Sequence, residues 1–111
     1  MKKIIISVAI ASLLLMSSGC KKEVLYGPVM FWTNVDEGTV TITINGQTGT
    51  ITGYVTGGVP SCGNAVSANF TLPEGYYSYS VSAPPSPAYP TGYTLTGTAH
   101  AVVNQCQAYQ L

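Results

Sequence analysis

Three cysteines, one histidine and four carboxylates are the side chains in this 111-residue chain best equipped for nucleophilic, acid–base or metal chemistry. If the strand around them is continuous, His100 and Cys106 share parity, with Asn104 between them. Those are the residue types of a Cys–His–Asn nucleophilic site. The plainer reading, which we favour, has a solvent-facing or edge histidine and an oxidised cysteine. Metal sites need clustered His, Cys or carboxylate ligands. Asp36-Glu37-Gly38 could hold calcium with backbone help, but it also suits a turn before a strand, and we favour the turn. Glycoside hydrolysis needs two carboxylates facing each other across a cleft. Asp36 and Glu37 are adjacent and Glu74 falls at a turn. We therefore expect no enzyme, no metal and no cofactor.

The charge pattern removes further classes. Charged residues make up only 7% of the chain, and all four basic ones lie within the first 22 positions: Lys2, Lys3, Lys21 and Lys22. From Val24 to Leu111 there is no Lys or Arg. Nucleic-acid binding by counterion release requires several cationic contacts to phosphate, so no nucleic-acid partner is expected. Recognition of phosphorylated or strongly acidic ligands by Arg forks is excluded for the same reason. Solubility must come from Thr, Ser, Asn, Gln and Tyr instead.

The amino terminus has the layout of an export signal. Met1-Lys2-Lys3 is a positive start, Ile4 to Met16 is apolar except for Ser7 and Ser12, and Ser17-Ser18-Gly19 supplies small residues before Cys20. An apolar run of about 13 residues falls short of the roughly 20 needed to span a bilayer. The segment Ser17-Ser18-Gly19-Cys20 resembles the lipobox of bacterial lipoproteins. That resemblance implies a cleaved signal helix over 1–19, acylation of Cys20, and a lipidated tether over 20–27. It also implies an outer-membrane location, periplasmic or cell-surface, because Lys21 stands where an inner-membrane lipoprotein carries Asp. With Cys20 lipidated, Cys62 and Cys106 remain as a disulfide pair in an oxidising compartment. Two buried thiols, or one reactive cysteine, are the competing readings. A bridge closing a loop of about 45 residues would contribute roughly 4 kcal/mol in the chain-entropy view.

The elements behind the tether read as β throughout, because apolar residues alternate and show no 3.6-residue period. Val40, Ile42 and Ile44 share one face and Thr39, Thr41 and Thr43 the other. Asn45-Gly46 then predicts a two-residue hairpin turn with Ile44 opposite Gln47, Thr43 opposite Thr48 and Val40 opposite Ile51. Ala68, Phe70 and Leu72 alternate next. Leu72-Pro73-Glu74-Gly75 predicts a second hairpin whose return strand places Tyr77, Tyr79 and Val81 inward. Tyr93, Leu95, Ala99, Ala101 and Val103 follow, then a less clear strand around Cys106–Leu111. With Val29-Met30-Phe31-Trp32-Thr33 in front, about seven strands predict a single small antiparallel β-sandwich over 28–111.

Gly49-Thr50-Ile51-Thr52-Gly53, Pro60-Ser61-Cys62-Gly63, Phe70 through Tyr79 and Gly97-Thr98 with Cys106 resemble small bacterial lipoproteins. They are also similar to prealbumin-like modules of the PEGA and carboxypeptidase-regulatory-like kinds. A Leu-Pro-x-Gly-x-Tyr turn is the shared feature, here Leu72 to Tyr77. The resemblance implies a non-catalytic fold and transfers no functional residues.

Eight tyrosines and one tryptophan could include an exposed stacking surface. We expect Trp32, Tyr77, Tyr79 and Tyr93 in the core and Tyr54, Tyr76 and Tyr89 exposed as contacts for a protein or glycan partner. Ala83 to Pro90 reads as a polyproline-type loop, either a stiff connection or a partner-docked segment anchored by Tyr89. The function expected from these features is a membrane-anchored structural or protein-interaction module. The alternative is a cell-surface carbohydrate- or peptide-binding accessory protein using the exposed tyrosines.

Overall fold

The computed structural model describes residues 24–111; the expected signal segment 1–19, Cys20 and the tether up to residue 23 lie outside the described residues. Seven strands follow in chain order: β1 (Tyr26–Trp32), β2 (Val40–Ile44), β3 (Gln47–Ile51), β4 (Ala68–Pro73), β5 (Gly75–Ala83), β6 (Tyr93–Ala101) and β7 (Gln107–Gln110). They form a three-stranded sheet ordered β4-β1-β7 and a four-stranded sheet ordered β3-β2-β5-β6. No helix occurs among the described residues. β1 starts at Tyr26, ahead of the expected boundary at residue 28, because Tyr26 and Gly27 pair with Pro73 and Leu72.

The β2–β3 hairpin has the register its turn requires. Asn45 and Gly46 take φ of 50° and 74°, the two positive values that let a two-residue loop match strand twist. Ile44 stands opposite Gln47, Thr43 opposite Thr48, Thr41 opposite Thr50 and Val40 opposite Ile51. A slip of one residue would turn Val40, Ile42 and Ile44 out of the core.

Two topological expectations are corrected. First, β4 and β5 are not a hairpin. β4 pairs with β1, whereas β5 pairs with β2 and β6 in the other sheet. The Pro73-Glu74-Gly75 segment is therefore a crossing between layers. Gly75 makes it with a φ of 151°, Glu74 N–H donates to Leu25 O (2.9 Å), and the Tyr77 hydroxyl donates back to Pro73 O (2.6 Å). A tyrosine tying its hydroxyl to backbone a few residues upstream is a known corner device of sandwiches. Second, the fold is not purely antiparallel. β7 runs parallel to β1, from Val29 opposite Gln107 to Trp32 opposite Gln110. Parallel neighbours need a long crossover, and here strands β2 to β6 all intervene.

The inner faces of both sheets share one core. Val29 and Phe31 meet Val40, Ile42, Ile44, Ile51, Phe70, Leu72 and Val81, with Tyr77, Tyr79, Tyr93 and Tyr109 packed at the margins. Phe31 is the centre of an aromatic cluster: its ring centroid lies 4.8 Å from Tyr79, 5.5 Å from Tyr109 and 5.9 Å from Phe70. Leu95 falls at the far margin and is exposed, and Val103 lies beyond the end of β6.

Trp32 is buried, but not between the sheets. By alternation it shares the opposite face of β1 with Met30, which is fully buried. Asn69 stands opposite Met30 in the register. Its side-chain amide donates to Asn64 O (3.0 Å) and Ser67 O (3.2 Å), and its Oδ1 accepts from Gly63 N–H (3.0 Å). The loop over 52–67 is thus laid against this outer face. The Cys62–Cys106 disulfide, across 44 positions, fastens the loop to the entrance of β7.

Gly27 shows how tightly the sheet is closed. A Cβ there would collide with Val102 O, backbone that cannot yield cheaply, whereas one at Gly46 would meet nothing within 4 Å. Gly27→Ala is expected to lower unfolding free energy by about 1–3 kcal/mol or more. Gly46→Ala should cost only about 1–2 kcal/mol for its left-handed backbone. Chemical denaturation of both variants checks the order.

Candidate functional site

The strand alternation that builds the core also builds its opposite, an outer face of the four-stranded sheet made of hydroxyls. Pairing aligns Thr50, Thr41, Ser82 and Thr94 in one row and Thr48, Thr43, Ser80 and Thr96 in the next. Ser78 and Thr98 form a third, shorter row. A shallow cavity of about 430 Å³ opens on this face, lined by the hydroxyl residues Thr41, Thr43, Ser80, Ser82, Thr94 and Thr96 together with Val81 and Leu95. Neighbours within a row are about 4.8 Å apart across strands, and successive rows lie about 6.7 Å apart along them. Every hydroxyl both donates and accepts, and no charge interrupts the array. Such a surface can hydrogen-bond an uncharged polar partner. It has neither a nucleophile–base pair nor a metal-binding set.

At the Gly75 end of β5 the rows stop at an aromatic pair. Tyr76 stands opposite His100, and the two rings stack with centroids 4.0 Å apart and planes 11° from parallel. The expected exposure of Tyr54, Tyr76 and Tyr89 is observed for all three. The structure does not bring them together. Tyr54 lies on the loop over 52–67 and Tyr76 beside the hydroxyl rows. Tyr89 lies in the connection leaving the Ala83 end of β5, edge-on to Tyr93 at 4.9 Å. That proline-rich connection is not an extended polyproline segment. Ser86 and Tyr89 exchange backbone bonds (2.9 and 3.1 Å), and Gly92 N–H donates to Tyr89 O (2.8 Å), closing it on itself.

The His100-Asn104-Cys106 arrangement is not formed. β6 ends at Ala101, Asn104 takes a positive φ of 60° in the following turn, and the Cys106 sulfur is bonded to Cys62. His100 donates its backbone N–H to the Tyr109 hydroxyl (2.7 Å). No group of three metal-ligating side chains occurs among the described residues.

Asp36-Glu37-Gly38 is a turn, with Gly38 N–H donating to Asp36 Oδ1 (3.1 Å). Glu37 is the residue that sequence reasoning missed. Its side chain points inward and is 2% exposed. The Thr33 hydroxyl donates to Oε2 (2.5 Å) and the Tyr93 hydroxyl donates to Oε1. These bonds join the β1–β2 connection to the start of β6. Tyr93 is 56 positions away in sequence, so no local pattern could have announced the pair. Burial, the hydrogen bond to Glu37, and the nearby Glu37 charge all push the Tyr93 hydroxyl well above the usual tyrosine range.

No protein-family profile matches the chain, and no curated protein and no solved structure is significantly similar to it.

Two outcomes follow from the Glu37 cluster. Removing the carboxylate in Glu37→Ala strands two hydroxyls, and should cost about 1–3 kcal/mol in denaturant unfolding. A folded-state hydroxyl held above its unfolded value of 10.0 stabilises the fold fully below that pH. That contribution is lost as pH rises through the folded-state value. The thermal midpoint should therefore fall from about pH 10 upward, and less steeply in Tyr93→Phe. An identical alkaline decline in both proteins would contradict this.

Proposed function

We propose that the chain is an outer-membrane lipoprotein acylated at Cys20, whose prealbumin-like β-sandwich is a non-catalytic structural or protein-interaction module. The observation that carries the reading is the cysteine pairing. Cys62 and Cys106 are joined to each other, which accounts for both cysteines of the domain. The remaining cysteine, Cys20, stands directly after Ser17-Ser18-Gly19 at the end of an apolar, positively flanked segment. A disulfide fits an oxidising envelope compartment, and two or more acyl chains give stable anchoring where one does not.

The hydroxyl face is the contact surface in this reading. A partner there meets donors and acceptors without charge, so specificity comes from hydrogen-bond pattern and shape. A glycan or peptide partner would rest on Tyr76 rather than on Tyr54 or Tyr89, because of these three only Tyr76 borders those rows.

Growing cells with a labelled fatty-acid precursor tests the anchor. Wild-type protein should carry the label and shift to higher mass at the residue-20 peptide. Cys20→Ala should carry none and leave the membrane fraction. Equal labelling of both proteins would overturn the reading.

A further inference from the structure

We propose that the domain itself docks on the bilayer, through the end of the sandwich at which the chain enters. This inference rests on the acylation of Cys20 proposed above and concerns what the domain does once anchored. Four of the largest exposed apolar side chains gather at that end: Val24 (57% exposed), Leu25 (50%), Tyr26 (53%) and Tyr76 (74%). The layer crossing holds them together. Glu74 N–H is bonded to Leu25 O (2.9 Å), Tyr26 stands opposite Pro73, and Tyr76 follows Gly75 directly. Alternation places Tyr26 on the outer face of the three-stranded sheet and Tyr76 on the outer face of the four-stranded one. The end therefore carries one tyrosine on each flank, with Val24 and Leu25 leading in. Half-buried Val102 lies beside Gly27 at the same end.

The occupant follows from chain length and chemistry. Only four peptide steps separate Cys20 from Val24. At full extension they reach about 14 Å, so an acylated Cys20 holds this patch within touching distance of the headgroups. Tyrosine, with an apolar ring and a polar tip, is the side chain suited to that boundary. Glu74 is the described charge at this end, and the sequence leading into Val24 carries Lys21, Lys22 and Glu23, making two of each sign. His100, stacked on Tyr76, is the one further titratable group beside the tyrosines there. A balanced end fits a zwitterionic phospholipid surface. The opposite end, with Asp36, Glu37 and the closed proline loop, is directed away from the membrane.

The test uses the acylated mature protein on phosphatidylcholine vesicles and hydroxyl-radical footprinting read by peptide mass spectrometry. Tyr54 and Tyr89, exposed elsewhere, are internal references. Oxidation of Tyr26 and Tyr76 relative to those references should fall about fivefold against the Cys20→Ala protein mixed with the same vesicles. A glycine–serine linker inserted between Glu23 and Val24 should leave that protection in place, because the patch has its own affinity for the surface. Acylated protein with Tyr26 and Tyr76 as reactive as Tyr54 and Tyr89 would overturn the docking surface while leaving the lipoprotein reading intact. So would protection that vanishes with the linker. Absence of acyl mass on the residue-20 peptide would overturn both.

Discussion

One strand must be covered on both faces, and the rest of the molecule is arranged to cover it. β1 carries Val29 and Phe31 on one side and Met30 and Trp32 on the other, all buried. The four-stranded sheet covers the first pair. No second sheet exists among the described residues on that side; the loop over 52–67 is bonded to it instead, through Asn69 and through Val55 N–H donating to Thr33 O (2.9 Å). A loop has little cohesion of its own, because it lacks a ladder of backbone bonds. Asn69 and the Cys62–Cys106 bridge supply the missing constraint from both sides. The bridge matters most through what it holds down. Its loop-closure contribution of about 4 kcal/mol comes in addition to fastening that segment to the entrance of β7.

A domain without cations must solve its polar problems with hydroxyls. The carboxylate of Glu37 is buried, and from Val24 onward no Lys or Arg exists to pair with it. Burying a charge is costly unless it is well hydrogen-bonded, and Thr33 and Tyr93 meet that need from two elements. The same device recurs. Tyr77 ties the layer crossing to Pro73, and Tyr109 ties β7 to the backbone of β6 at His100. Three tyrosines whose rings border the core thus use their hydroxyls as fasteners between elements. This explains why so many tyrosines occur in so small a domain without forming a stacking surface.

What could be read from sequence tracks the range of the interaction involved. The Asn45-Gly46 hairpin was legible to the residue, because turn chemistry and alternation are both local. So was the exposure of Tyr54, Tyr76 and Tyr89, and so was the cysteine pair by elimination. The errors of topology involve partners distant in the chain, whereas the proline-rich connection was misread locally, since Ser86 and Tyr89 close it on itself. Leu72-Pro73-Glu74-Gly75 has the residues of a tight turn, and they serve equally well to cross between layers; only the pairing of β4 with β1 decides. The continuous apolar run at β1 was the overlooked signal, since strands buried on both faces and paired in parallel lose their alternation. Glu37 was misjudged because its partner Tyr93 lies in another element.

The hydroxyl face gains its meaning from the same absence of charge. A free protein with so few charged groups has weak electrostatic protection against self-association. Long neutral edges such as β6, which carries no Lys, Glu or Pro along nine residues, add to that hazard. Tethering changes the balance, because a domain held at a surface by one end meets its neighbours in restricted orientations. If the entry end rests on lipid, the hydroxyl rows stand roughly upright on the side of the domain, open to a partner that approaches along the membrane. An uncharged hydrogen-bonding surface is then an advantage: it is insensitive to the salt screening that weakens charged contacts between exposed groups. A hydroxyl surface of this kind would therefore suit the anchored arrangement proposed above.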